Sequence, residues 1–179
     1  MKNKTFLALI RGINVGGKNS VRMEALRSAC ESVGLRNAVT FIQSGNIVFE
    51  SDERDAVVLE KMLEELLEER FAVRTRVVVI GADEYREIVG HFPKVFALEG
   101  WKHNVFFFGA GAEARAIVEE FGGKDAGLEV SSFGSAVYWS QYKDHAGADK
   151  YVRKLLAHKL YKQMTIRNNR TARKILELM

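Results

Sequence analysis

Cysteine, proline, histidine at metal-binding spacing and long apolar runs are what this sequence of 179 residues has little of. The single cysteine, Cys30, excludes an internal disulfide and a cysteine-rich zinc site. A lone thiol also suits a cytoplasmic chain, which is the expectation for its location. The four histidines, His91, His103, His145 and His158, show no HxxxH spacing, so a metal site has little support and no cofactor is called for. No apolar run approaches the roughly 18 residues of a membrane span, so no membrane partner is expected. The N-terminal MKNKTFLALIRG has no small-residue cleavage site and reads as a strand, not a signal peptide. The only proline, Pro93, falls where a helix is expected to stop. No G-x-S-x-G elbow is present, so a serine triad has nowhere to sit.

Charge is distributed unevenly. The net +4 of the whole chain divides into +7 from Lys143 onward and −3 before it. A basic segment of this kind either binds phosphates or forms the solvated face of helices. Lys150, Arg153, Lys154, Lys159, Lys162, Arg170, Arg173 and Lys174 are the candidate contacts for a polyanion.

Hydrophobic periodicity gives the order of elements. Phe6–Ile10 is a strand. A helix follows, capped by Asn19 or Ser20, with Met23, Leu26, Cys30 and Val33 as its apolar stripe and Gly34 as its stop. Ala38–Gln43 and Asn46–Glu50 flank a two-residue Ser44-Gly45 hairpin turn. Asp52–Phe71 is a long helix with Ala56, Leu59, Leu63, Leu66 and Leu67 inward; Glu60, Glu64, Glu65, Glu68 and Glu69 make its wet face. Arg74–Ile80 is a fourth strand, closed by Gly81. Asp83–His91 is a connecting helix and Lys94–Lys102 an irregular linker.

The order then restarts. Asn104–Phe108 is a strand and Ala112–Phe121 a helix. Leu128–Phe133 and Ala136–Gln141 form a hairpin about Gly134-Ser135. Ala148–Tyr161 is a helix with Val152, Leu155, Leu156 and Leu160 inward. Met164–Ile166 is a short strand and Arg170–Met179 a final helix. Each half reads β-α-β-β-α-β, the ferredoxin-like order. The fold class is therefore α+β: tandem ferredoxin-like halves, two antiparallel sheets with helices, a connecting helix and a C-terminal helix. The expected division is 1–81, a connecting segment 82–103, and 104–179, a structural duplication without visible sequence identity.

One loop stands out, RGINVGGKN from Arg11 to Asn19. Its G-x-x-x-x-G-K-N lacks the Ser or Thr with which a nucleotide hydrolase's phosphate loop holds magnesium, and the hairpin after it speaks against a parallel sheet. Two readings remain. The glycines serve a tight turn, or the loop turns backbone N–H groups toward an anion. Strand direction places this loop, the Gln43–Asn46 turn and the entry to the fourth strand at one end of the first sheet. If the halves pack with equivalent ends together, Arg11, Gly12, Asn14, Gly16, Gly17, Lys18, Gln43, Ser44, Asn46, Arg167 and Asn168 form one ligand-binding set. Its amides and guanidiniums suit phosphate, carboxylate or a nucleobase edge. The alternative is that the same residues cross-link turns and hold the halves together.

RGINVGGKN, QSGNIVF and the late TIRNNRT make the chain resemble the bacterial domain-of-unknown-function family 1697 over nearly its whole length. The resemblance implies tandem ferredoxin-like domains and brings no reaction, cofactor or substrate. Where members often carry Trp after the late Arg-Asn, this chain has Asn169.

Three function classes follow. The chain binds a small anionic ligand in the cleft, or it associates with nucleic acid through its basic segment, or it is an enzyme of unrecognised chemistry in the same cleft. Nucleic-acid binding on a sheet face would need the RNP aromatics, which neither half has. Phe106–Phe108, Tyr138 and Trp139 are instead expected in the core. Asp83, Asp144 and His145 are the only acid–base candidates off a solvated helix face. The oligomeric state is not legible.

Overall fold

A computed structural model describes residues 4–109, 114–123, 126–144 and 148–179. The first sheet contains β1 (Lys4–Ile10), β2 (Arg36–Phe41), β3 (Asn46–Ser51) and β4 (Val77–Gly81), in the order β2-β3-β1-β4. The second contains β5 (Trp101–Phe108), β6 (Leu128–Phe133), β7 (Ala136–Tyr142) and β8 (Met164–Asn168), in the order β6-β7-β5-β8. All pairings are antiparallel. This is a tandem ferredoxin-like α+β fold.

Alternation along the strands explains the layering. Phe6, Ala8, Ile10, Ile47, Phe49, Val77 and Val79 face α1 (Met23–Ser32) and α2 (Ala56–Phe71). Leu7, Leu9, Val48, Val78 and Ile80 point the other way. In the second sheet Phe106, Phe108, Val137 and Trp139 share a core with α4 (Arg115–Phe121) and Leu155 of α5 (Ala148–Ala157). Val105, Phe107, Ala136 and Tyr138 look back toward the first sheet. Between the sheets lie α3 (Ala82–Gly90) and α6 (Asn169–Leu176), contributing Tyr85, Ile88, Val89, Ala172 and Ile175. Both faces of both sheets are thus covered, which is why the strands read as near-continuous apolar runs. It also removes a sheet face as an RNA platform.

Buried phenols tie the middle layer together. Tyr85 donates to the Ala172 carbonyl at 2.9 Å and Tyr138 to the Ile88 carbonyl at 2.6 Å. Each replaces the water its hydroxyl loses on burial.

Several expected boundaries are corrected. The first helix begins at Met23, capped by Arg22 without a side-chain bond, and not at Asn19 or Ser20. The cause is Asn14, whose side chain accepts from the Val21 N–H at 2.8 Å and donates to the Val21 carbonyl at 2.9 Å, spending Val21's polar backbone outside a helix. The hairpin turn is four residues long, Ile42 to Gly45, with Ile42 at φ 48 and Gly45 at φ 75. Helix α2 starts at Ala56, where Asp55 accepts from the Val57 N–H. Val152 and Leu156, expected inward, are exposed.

Glu60 and Glu64 are not both on a wet face. Glu60 is 5% exposed and accepts from the Val79 N–H at 3.1 Å; Glu64 accepts from the Val77 N–H at 2.9 Å. Four helical residues advance about 6 Å and two strand residues about 6.6 Å, so the i,i+4 glutamates match alternate N–H groups of edge strand β4. Their carboxylates satisfy donors that an edge strand otherwise leaves open.

Candidate functional site

The loop after β1 does not open onto a helix N-terminus. It closes as a small hairpin: Val15 and Lys18 form a bridge, with Gly16 at φ 59 and Gly17 at φ 73 between them. Two successive positive φ values are what a tight two-residue hairpin turn requires. This geometry and the antiparallel sheet dispose of the nucleotide-hydrolase reading.

Strand direction brings the expected segments together. The Ile10 N–H donates to the Gly45 carbonyl at 2.8 Å and the Arg11 N–H to the Arg76 carbonyl at 3.0 Å. Into this end of the first sheet reaches Arg167 of β8. Its Nε donates to Asn46 Oδ1 at 2.5 Å, its Nη1 to Thr165 Oγ1 and the Ile166 carbonyl, and its Nη2 to the carbonyls of Ile10, Ser44 and Gly45. The side chain is buried, and none of its six acceptors is a carboxylate. Burial pulls its pKa down to about 10, which leaves it charged at neutral pH.

Arg11 is the second guanidinium. Its Nη1 donates to the carbonyls of Tyr161 at 2.8 Å and Met164 at 2.6 Å, and it lies 4.4 Å from the Tyr161 ring centroid. Its Nε and Nη2 have no partner among the described residues. A cleft of about 540 Å³ opens here, with Arg11, Tyr161, Thr165, Arg167, Asn168 and Ser44 in its walls. Val15 and Ile42, both exposed, form an apolar part of the lining.

The expected ligand-binding set divides in three. Arg11, Gly12, Ser44, Arg167 and Asn168 line the cleft. Asn14, Gln43 and Asn46 belong to the turns behind it: the Asn14 amide donates to the Gln43 carbonyl, and Asn46 donates to the Phe41 carbonyl and Ser44 Oγ. Gly16, Gly17 and Lys18 occupy the exposed hairpin tip and are not among the lining residues. Asn168 also caps α6, accepting from the Thr171 N–H at 2.8 Å. Tyr161, Thr165 and Thr171 were not singled out from sequence. Their proximity to the TIRNNRT motif was the available signal.

The other candidates are more ordinary. Asp83 pairs with Arg86 at 2.6 Å on the surface of α3, Asp144 is exposed, and His145 lies outside the described residues. Among the described residues no group of three or more His, Cys, Asp or Glu is placed to hold a metal ion, and no helix is long and apolar enough to cross a membrane. The basic segment is partly neutralised: Lys154 pairs with Glu120 and Lys174 with Glu177, while Arg173 lies 4.9 Å from the Phe92 ring.

A family model for proteins of unknown function, DUF1697, matches residues 3–139. The chain belongs to the DUF1697 family. Among solved structures, this DUF1697 protein is similar to the conserved bacterial protein SP0830 from Streptococcus pneumoniae. The TM-score is 0.84 at 23% identity, over 99% of each chain. That likeness establishes a shared fold. No curated protein matches the DUF1697 chain significantly.

Proposed function

We propose that this protein binds a small phosphate- or carboxylate-bearing ligand in the cleft between its two halves. The observation that supports this is the state of Arg11. One nitrogen is fixed by two carbonyls and the Tyr161 ring lies near the guanidinium, yet the remaining N–H groups are unspent at a cleft wall. A guanidinium fixed in this way presents a fork that matches planar anions at little entropic cost. Arg167 adds a second positive charge with only neutral partners, and its field is weakly screened because it is buried. Ser44, Thr165, Asn168 and Thr171 line the same space, with Ser44 Oγ accepting from Asn46, Thr165 Oγ1 from Arg167 and Asn168 Oδ1 from the Thr171 N–H. This lining is chemistry for holding an anion: guanidiniums, hydroxyls and an amide, without a carboxylate, imidazole or thiol.

The test is thermal denaturation against a panel of phosphosugars, nucleotides and small carboxylates. A ligand at a hundredfold excess over Kd stabilises by about 2.7 kcal/mol, a rise of roughly 5–11 °C for a chain of this size. Arg11→Ala should weaken that ligand roughly tenfold to a hundredfold, the loss expected of a charge-assisted hydrogen bond. A ligand held equally well by Arg11→Ala removes this cleft as its site.

A further inference from the structure

Asn168 also lines a second groove, of about 660 Å³. Its walls include the β5 stretch Trp101–Asn104, together with Leu98, Lys143, Asn169 and Arg170. Lys102, Lys143 and Arg170 are exposed, and none of them is paired with a carboxylate among the described residues. Glu99 is the single acid in the lining and makes no ion pair with them. The groove also takes in the start of α6. There the Asn168 side chain occupies the Thr171 N–H, while the Asn169 and Arg170 N–H groups have no acceptor within the helix. Three unpaired cations and open helix amides at one place are a phosphate environment.

The rest of the lining is of a different kind. Trp101 is half-buried, set edge-to-face on Tyr142 at 5.8 Å, and Leu98 is 53% exposed. His103 is held at both nitrogens, by Ser140 Oγ at 3.0 Å and the Leu98 carbonyl at 3.1 Å, so it shapes the wall of the groove. The amides of Asn104 and Asn169 supply paired donors and acceptors. A flat apolar surface, side-chain amides and a cationic end together match a phosphate attached to a heteroaromatic ring. We infer that this groove is a nucleotide site, separate from the Arg11 cleft. The phosphate sits among Lys102, Lys143, Arg170 and the α6 N-terminus, and the base lies against Trp101 within reach of the amides.

The experiment is calorimetric titration of the intact chain at low salt with the four common nucleoside monophosphates, the matching nucleosides and inorganic phosphate. At least one monophosphate should bind more tightly than both its nucleoside and phosphate. The Lys102→Glu/Arg170→Glu double variant, altered only at exposed positions, should weaken it by about tenfold or more with an unchanged circular dichroism spectrum. Arg11→Ala should leave it unchanged, so failure of the Arg11 cleft and failure of this site are told apart. The inference is overturned if no monophosphate binds, if phosphate alone binds as tightly, or if Arg11→Ala abolishes binding that the double variant keeps.

Discussion

Replacing Arg167 by Met is the sharpest probe of how the two halves are joined. The change keeps chain length and apolar bulk but deletes every donor. Asn46 Oδ1, inside a residue only 1% exposed, loses its Arg167 partner, and three carbonyls of the first half lose a second-half partner. An orphaned buried acceptor costs about 1–3 kcal/mol. Against this, the variant no longer desolvates a guanidinium, so the losses do not simply add. Breaking one side of a buried charged network costs about 3–5 kcal/mol in comparable cases. For a chain of this size that is a fall in Tm of roughly 6–20 °C. Arg167→Lys keeps the charge with fewer, unforked donors and should fall between parent and Met. The assay is urea unfolding followed by far-ultraviolet circular dichroism and by tryptophan fluorescence. Both tryptophans, Trp101 and Trp139, belong to the second sheet, so fluorescence follows that half while circular dichroism follows both. If Arg167 couples the halves, the two transitions should separate in the Met variant. A Met variant within about 1 kcal/mol of the parent, with coincident transitions, would refute the coupling.

Other outcomes follow from single features. Gly45→Ala should cost roughly 2–5 kcal/mol, since its Cβ would lie 2.8 Å from Ile10 Cβ at φ 75. Gly16→Ala, at φ 59 with nothing within 4 Å, should cost only about 1–2 kcal/mol; equal urea midpoints would contradict the packing argument. Burial pushes the Cys30 thiol up from 9.0 to about 12. Native protein should therefore resist thiol reagents until it unfolds. The neutral thiol favours the folded state fully below pH 9, and that contribution is lost as pH rises from 9 toward 12. A urea midpoint that rises over that interval would show that ionisation of this thiol does not control stability there. Glu60→Leu strands the Val79 N–H on an edge strand and should cost about 1–3 kcal/mol, with faster amide exchange at Val79 as the specific readout.

Much of the fold was legible because strand runs such as Phe6–Ile10 and turn residues such as Gly34 and Gly134 speak locally. The middle layer was not. The sequence of α6 gives an amphipathic helix but does not say that its apolar side meets α3 between two sheets. Glu60 looked solvated because its helix neighbours are glutamates; its burial depends on an edge strand 19 residues away. Strand direction was enough to expect Arg11 near the Gln43–Asn46 turn, and the cleft contains both Arg11 and Arg167. Hidden in sequence was the spending of polar groups. Asn14 and Asn46 have the amides a ligand would use, but backbone groups and Arg167 occupy them. Side-chain chemistry was visible, and the competition for it required the tertiary structure.

Arg167 reaches the Ile10 carbonyl across 157 positions of sequence, and Arg11 reaches the Met164 carbonyl across 153. During synthesis the first sheet can close as soon as β4 has left the ribosome, because all its strands lie before residue 82. The cleft cannot, since one wall arrives with residues 161–171. Until then the turn carbonyls at Ser44 and Gly45 lack Arg167, and Arg11 has no Tyr161 carbonyl to hold it. A nascent chain paused between the two sheets would carry a folded first half with no pocket. If the cleft is a ligand site, capture is a timed event, open only to molecules whose last strand has docked.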